Sequence, residues 1–149
     1  MPKPNKQAKL KTAPNPQKQP KTSVPPQDYY NQKPAWRISR IELIASYSWQ
    51  NLNAEKLREI HIKLSNFESM TWREILLDSK KQNHTVPIGS LSKQARDRLI
   101  EMNLDDLDEL TSLRLSGPER IWGILNQGTM ELLWWDPRHE VYPSLKKNT

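Results

Sequence analysis

The stretch ERIWGILNQGTMELLWWDPRHEVYP, residues 119–143, decides how the chain folds. Two apolar, aromatic-rich runs flank Asn126-Gln127-Gly128, and alternating apolar positions on either side of a glycine turn are the pattern of a β-hairpin. A three-residue loop with Gly128 in the left-handed position sets the expected register. Leu125 opposes Thr129, Ile124 opposes Met130, Trp122 opposes Leu132, and Arg120 opposes Trp134. Alternation then puts Arg120, Trp122, Ile124, Met130, Leu132, Trp134 and Asp136 on one face and Ile121, Leu125, Leu133 and Trp135 on the other. Both faces are apolar, so each is covered or lines a groove, and the helices are expected on one of them.

Outward from the hairpin, Ser116-Gly117-Pro118 is a turn that ends a strand over residues 110–115. An acidic turn at 105–109 precedes it. Leu91, Ala95, Leu99 and Met102 share one face of a helix that begins at Ser92. Residues 80–89 read as a loop. Thr71-Trp72-Arg73-Glu74 has the capping-box pattern, with Thr71 bonding a first-turn amide and Glu74 reaching back, so a short helix is expected there. Asn53 is an N-cap followed by Leu57, Ile60, Leu64 and Phe67 at helical spacing. Residues 36–45 mix alternation with an apolar finish and suit a first strand.

The chain's beginning differs in kind. Residues 1–35 hold seven lysines, no arginine, one acid and eight of the twelve prolines, with no apolar run. That composition buries too little surface to offset ordering entropy, so 1–35 is expected to be a disordered arm and 36–149 a single α+β domain. Residues 36–149 carry 16 basic and 16 acidic side chains, so the +6 of the whole chain is the arm's. Lysine-rich arms suit polyanions, whose counterions are released as phosphates are neutralised, or serve only to solubilise.

Several classes are excluded or disfavoured. There is no cysteine, hence no disulfide framework or thiolate site. Four glycines scattered at 89, 117, 123 and 128 form no phosphate loop. The three histidines, at 61, 84 and 139, lack metal-ligand spacing. No stretch approaches the roughly 20 apolar residues that span a bilayer. The N-terminus lacks the apolar core of a secretory signal, which makes the cytoplasm the default expectation. The six tryptophans admit two readings, base-stacking platforms or sheet-covering core, and the strand positions of Trp122, Trp134 and Trp135 favour core.

From Asp108 onward the chain resembles the RelE/YoeB/ParE-like toxin superfamily, small proteins with helices packed on a mostly antiparallel sheet. The resemblance rests on Glu109, then Leu115-Ser116-Gly117, then a strand led by Arg120, a tight turn, and a final apolar strand followed by His139 and Tyr142. It implies a RelE-like fold and a toxin-like endoribonuclease acting on messenger RNA, including ribosome-bound message, without a cofactor or metal. RNA cleavage by its own 2′-OH needs a base, a cation at the crowded phosphorus and an acid for the leaving oxygen. On that reading Glu109 is the base, Arg120 with Arg114 clamps phosphate, and His139 or Tyr142 is the acid. Trp134, Arg138, Lys146 and Lys147 are further substrate-binding candidates.

Implied partners are RNA or the ribosome and an antitoxin-like protein, with no membrane. The alternative is a noncatalytic module of the same fold that binds a protein or nucleic acid. In it, Arg120 pairs with Asp136 and Glu109 with Arg114 as structural ion pairs.

Overall fold

The computed structural model describes residues 26–79 and 82–143. Five strands, β1 (Ala35–Arg37), β2 (His84–Pro87), β3 (Glu109–Arg114), β4 (Arg120–Asn126) and β5 (Thr129–Asp136), form one sheet in the order β1-β5-β4-β3-β2. Only β1 runs parallel to its neighbour; the other pairings are antiparallel. Helices α1 (Ala54–Phe67) and α2 (Lys93–Glu101) and a π-helical turn, Arg73–Asp78, complete an α+β fold.

The hairpin forms, in a different register from the one alternation predicts. Asn126 opposes Thr129 across a two-residue loop in which Gln127 and Gly128 have φ of 54° and 94°. Two successive positive φ values match the right-handed twist of the flanking strands. From there Leu125 faces Met130 and Gly123 faces Leu132, but Trp122 faces Trp134 and Arg120 faces Asp136. Leu133 is therefore an extra residue, a bulge in β5. The bulge reverses the alternation halfway along the strand. Met130 and Leu132 pack with Leu113 and Ile121, whereas Trp134 and Leu133 pack with Trp122 and Leu110. Gly123 fits the bulge because a Cβ there would collide with the Glu131 carbonyl and the Met130 side chain.

Helices cover both faces rather than one. Ala95 and Leu99 of α2, with Leu91, pack on Trp122, Trp134 and Leu110. Ile60 and Phe67 of α1, with Trp72 and Ile75, pack on Leu113, Ile121, Met130 and Leu132. Both α-helices start where polar caps predict. Asn53 Oδ1 accepts from Lys56 N at 2.7 Å, and Ser92 Oγ accepts from Ala95 N at 3.2 Å. Each cap contributes about 1 kcal/mol. The capping box at Thr71 forms as well, Thr71 N donating to Glu74 Oε1 at 2.9 Å and Glu74 N to Thr71 Oγ1 at 3.2 Å. What it opens is a wide turn that carries Ile75 and Leu76 into the core.

Three expectations fail at the sheet's margins. Residues 80–89 are not all loop: β2 pairs His84 with Ser112 and Val86 with Leu110. As an edge strand it tolerates Pro87 and buries only Val86, so it lacks a readable alternation. The first strand is also short, because after Arg37 the chain leaves the sheet and Ile38 and Ile44 are exposed. It returns beside the bulge, where the Leu133 carbonyl accepts from Glu42 N at 2.9 Å and from Trp49 Nε1 at 3.2 Å. Glu42 itself is buried, its carboxylate held by Arg98 Nη2 at 2.7 Å and Nε at 2.9 Å and by Trp134 Nε1 at 3.2 Å.

Finally, packing begins ahead of the expected arm boundary. Tyr29 and Tyr30, in a short 3-10 turn at Pro26–Asn31, pack against the α1-side core, and Gln32 O accepts from Trp72 N at 2.9 Å. Residues 1–25 lie outside the described residues.

Candidate anion site at the polar end of the sheet

Strand register decides which polar side chains share a surface. Glu109 opens β3 and Arg114 closes it. Five residues of strand separate them by about 17 Å, and an odd spacing puts them on opposite faces. Glu109 lies at the hairpin-loop end with Tyr29, whose hydroxyl is pushed up to about 12 by burial and then by Tyr30 and Glu109. Arg120 lies at the other end, directly opposite Arg114. The expected quartet of Glu109, Arg120, His139 and Tyr142 is therefore divided. The Glu109–Arg114 ion pair does not form either.

What does gather is cationic. Arg114, Arg120 and Asp136 are successive cross-strand partners on the α2 face. His84, Ser112, Trp122 and Trp134 form the row beside them. His139, just beyond β5, has φ of 60° in the turn that folds the chain back over this end. Like charges directly opposite on a sheet are destabilising, so the Arg114 and Arg120 pairing calls for a compensating anion.

The neighbouring carboxylates do not supply it. Asp136 is fully buried and spends its oxygens on Glu140 N at 2.9 Å, Val141 N at 3.0 Å and Trp122 Nε1 at 3.3 Å. Its role is to fasten the segment after β5. Glu119 points elsewhere and pairs with Lys56 at 2.7 Å. Arg120 Nη1 donates to the Gly117 and Glu119 carbonyls at 2.8 and 3.0 Å, which fixes its planar head. Among the described residues neither Arg114 nor Arg120 forms an ion pair with a carboxylate. The expected Arg120–Asp136 contact is thus a cross-strand neighbourhood without a salt bridge.

Electrostatics agree with that geometry. Burial, then Arg114, holds the Arg120 guanidinium below its ordinary range, with Asp136 opposing. Burial, then Arg120, pushes the His139 imidazole down, again against Asp136, and His84 acts in the same direction as Arg120. A bound anion would oppose both shifts, since opposite charge favours the protonated forms.

The other predicted residues separate from this end. Trp134 is fully buried and donates to Glu42, which removes it as a stacking surface. Arg138 is exposed and lines a different cavity of about 340 Å³ with Trp135, Pro137 and Asn51. Tyr142 is 37% exposed, just past buried Val141. Lys146 and Lys147 lie outside the described residues. His84 is the member that sequence reading missed, because its strand was not visible. Among the described residues no group of three or more His, Asp or Glu side chains is placed to hold a metal ion, and no helix is long and apolar enough to cross a membrane.

No family model, no curated protein and no solved structure matches this chain.

Proposed function

We propose that the chain is an RNA-interaction module whose sheet end, built on Arg114 and Arg120, binds a backbone phosphate. One observation carries the reading: the two arginines are cross-strand partners, and among the described residues neither has a carboxylate partner. The planar fork of arginine meets phosphate oxygens bidentately, and two forks side by side suit one phosphate group. The seven lysines of residues 1–35 fit the same ligand class, supplying sequence-independent attraction to a polyanion.

This places the binding-module alternative ahead of the toxin-like endoribonuclease of RelE-like type. That reading, with messenger RNA on the ribosome as substrate and an antitoxin-like partner, rests on the resemblance. It needs a general base in a position that Glu109 does not occupy. The test is affinity for a short single-stranded RNA, followed by fluorescence anisotropy. Arg114→Ala and Arg120→Ala should each weaken binding and lower the salt slope by about one. Unchanged affinity in both would refute the assignment.

A further inference from the structure

Where β5 ends, the chain turns at Pro137 and helps to close a cavity of about 340 Å³ against the segment that follows Glu42. The Tyr47 carbonyl accepts from Trp135 N at 3.1 Å, which sets those two residues side by side in the cavity wall. Its volume lies at the small end of the roughly 300–1,000 Å³ usual for ligand pockets, and it shares no residue with the arginine end of the sheet. Trp135 Nε1 and Tyr47 Oη are buried without a hydrogen-bond partner, and they are the only two such side-chain atoms among the described residues. Both belong to this one cavity. Buried donors are rarely left unmatched, so the pair calls for an acceptor that the protein does not supply. Tyr47 is 2% exposed, and burial raises its hydroxyl above the ordinary range, which keeps it a donor at neutral pH. Ser92 opposes that shift, but its own hydroxyl caps α2 and forms no hydrogen bond with Tyr47.

We propose that this cavity binds a small organic monocarboxylate, its oxygens accepting from Trp135 Nε1 and Tyr47 Oη and its carbon skeleton lying against the Trp135 and Pro137 rings. The inference is independent of the phosphate-binding reading of Arg114 and Arg120. The other lining groups point to the same ligand. Ser46 Oγ accepts from Gln94 Nε2 at 2.9 Å and Ser48 Oγ from Gln50 N at 2.9 Å, so each hydroxyl keeps a hydrogen to donate. Arg138 stands exposed in the wall, with no carboxylate partner among the described residues. A cavity this rich in donors takes an acceptor, and the guanidinium favours a charged one. Glu140, the one carboxylate among the lining residues, offsets part of that charge. One arginine faced by one glutamate suits a single negative charge, in contrast with the paired arginines that suit a phosphate.

The test titrates benzoate into the full chain, labelled with ¹⁵N, and follows the indole N–H resonances, with Trp135→Phe identifying that of Trp135. Benzoate carries one carboxylate on a flat ring that suits the aromatic wall. The Trp135 resonance should move and saturate. Benzamide, the same ring without the charge, should bind about tenfold more weakly. Arg138→Gln, at an exposed position, should weaken benzoate by about the same factor, the usual worth of one charged hydrogen bond. Tyr47→Phe removes a hydroxyl that nothing in the protein bonds, so it should leave the melting temperature within a few degrees while weakening benzoate several-fold. A Trp135 resonance that benzoate leaves unmoved overturns the inference. Equal affinity for benzamide overturns it too, as does tighter binding of phenyl phosphate, which would make the site one for phosphate.

Discussion

The two ends of the hairpin are built from similar strands and finished in opposite ways. At the loop end the turn's backbone and its cover are tied together from within. The Gly128 carbonyl accepts from Trp72 Nε1 at 2.9 Å, Gln32 O takes Trp72 N at 2.9 Å, and Tyr29 lies against the turn. At the other end the buried carboxylate accepts from three N–H groups, while Arg120, held by two carbonyls, faces Arg114 with no ion pair to a carboxylate among the described residues. An end whose backbone is bonded to its own cover is a structural closure. An end that holds like charges together carries unfavourable electrostatics that a bound anion would relieve.

That contrast predicts where substitutions hurt stability and where they hurt binding. The largest loss should follow Trp72→Ala, which empties a fully buried site and leaves the Gly128 carbonyl only its longer bond from Ala35 N at 3.4 Å. About 3–5 kcal/mol is expected, measured by urea unfolding, with RNA affinity of the folded fraction unchanged. A loss under about 1 kcal/mol would show that the loop end is not a closure.

Deleting residues 1–34 should come next, since it removes Tyr29, Tyr30 and the Gln32 carbonyl that covers the turn. Deleting only residues 1–25 should shift the melting temperature by a few degrees at most, because that composition offers no core. Equal melting temperatures for the two truncations would contradict the packing seen around Gly128. Asp136→Asn follows, at about 1.5–3 kcal/mol, the usual worth of hydrogen bonds to a charged group.

A smaller effect lies midway along β5. Burial alone would raise the Glu42 carboxyl, but hydrogen bonds from Arg98 and Trp134 outweigh it and hold the pKa below its ordinary value. A depressed folded pKa adds stability above the unfolded value of about 4.3, and this is lost as pH falls through the folded pKa. Wild type should therefore lose more stability than Glu42→Gln between neutral pH and acid. Parallel acid-unfolding curves would show that the pair is inert.

Much of this arrangement was legible in the sequence, and the failures share a cause. The stripe from Ile60 to Phe67, the caps at Asn53 and Ser92 and the positive φ at Gly128 are local properties that short spacings encode. The register was not legible, because it depends on Leu133 stepping out of the ladder opposite Gly123. That depends on Glu42 N and Trp49 Nε1, some ninety residues away, donating to the displaced carbonyl. β2 was invisible because an edge strand with one buried residue has no period. At the candidate site, Arg120 and Asp136 were correctly read as neighbours. Glu109 joins them only through the resemblance, and strand parity sends it to the other face and the other end.

The smallest stability change should come from Arg114→Ala combined with Arg120→Ala, because removing one like-charge pair offsets the lost packing. The same double variant should have the largest effect on binding. Its affinity for single-stranded RNA, measured against salt beside Glu109→Gln, tests the central claim most directly. The account predicts that the double variant binds at least tenfold more weakly with a salt slope reduced by about two, while Glu109→Gln binds like wild type. A double variant with wild-type affinity and slope, or a loss of binding in Glu109→Gln instead, would contradict it.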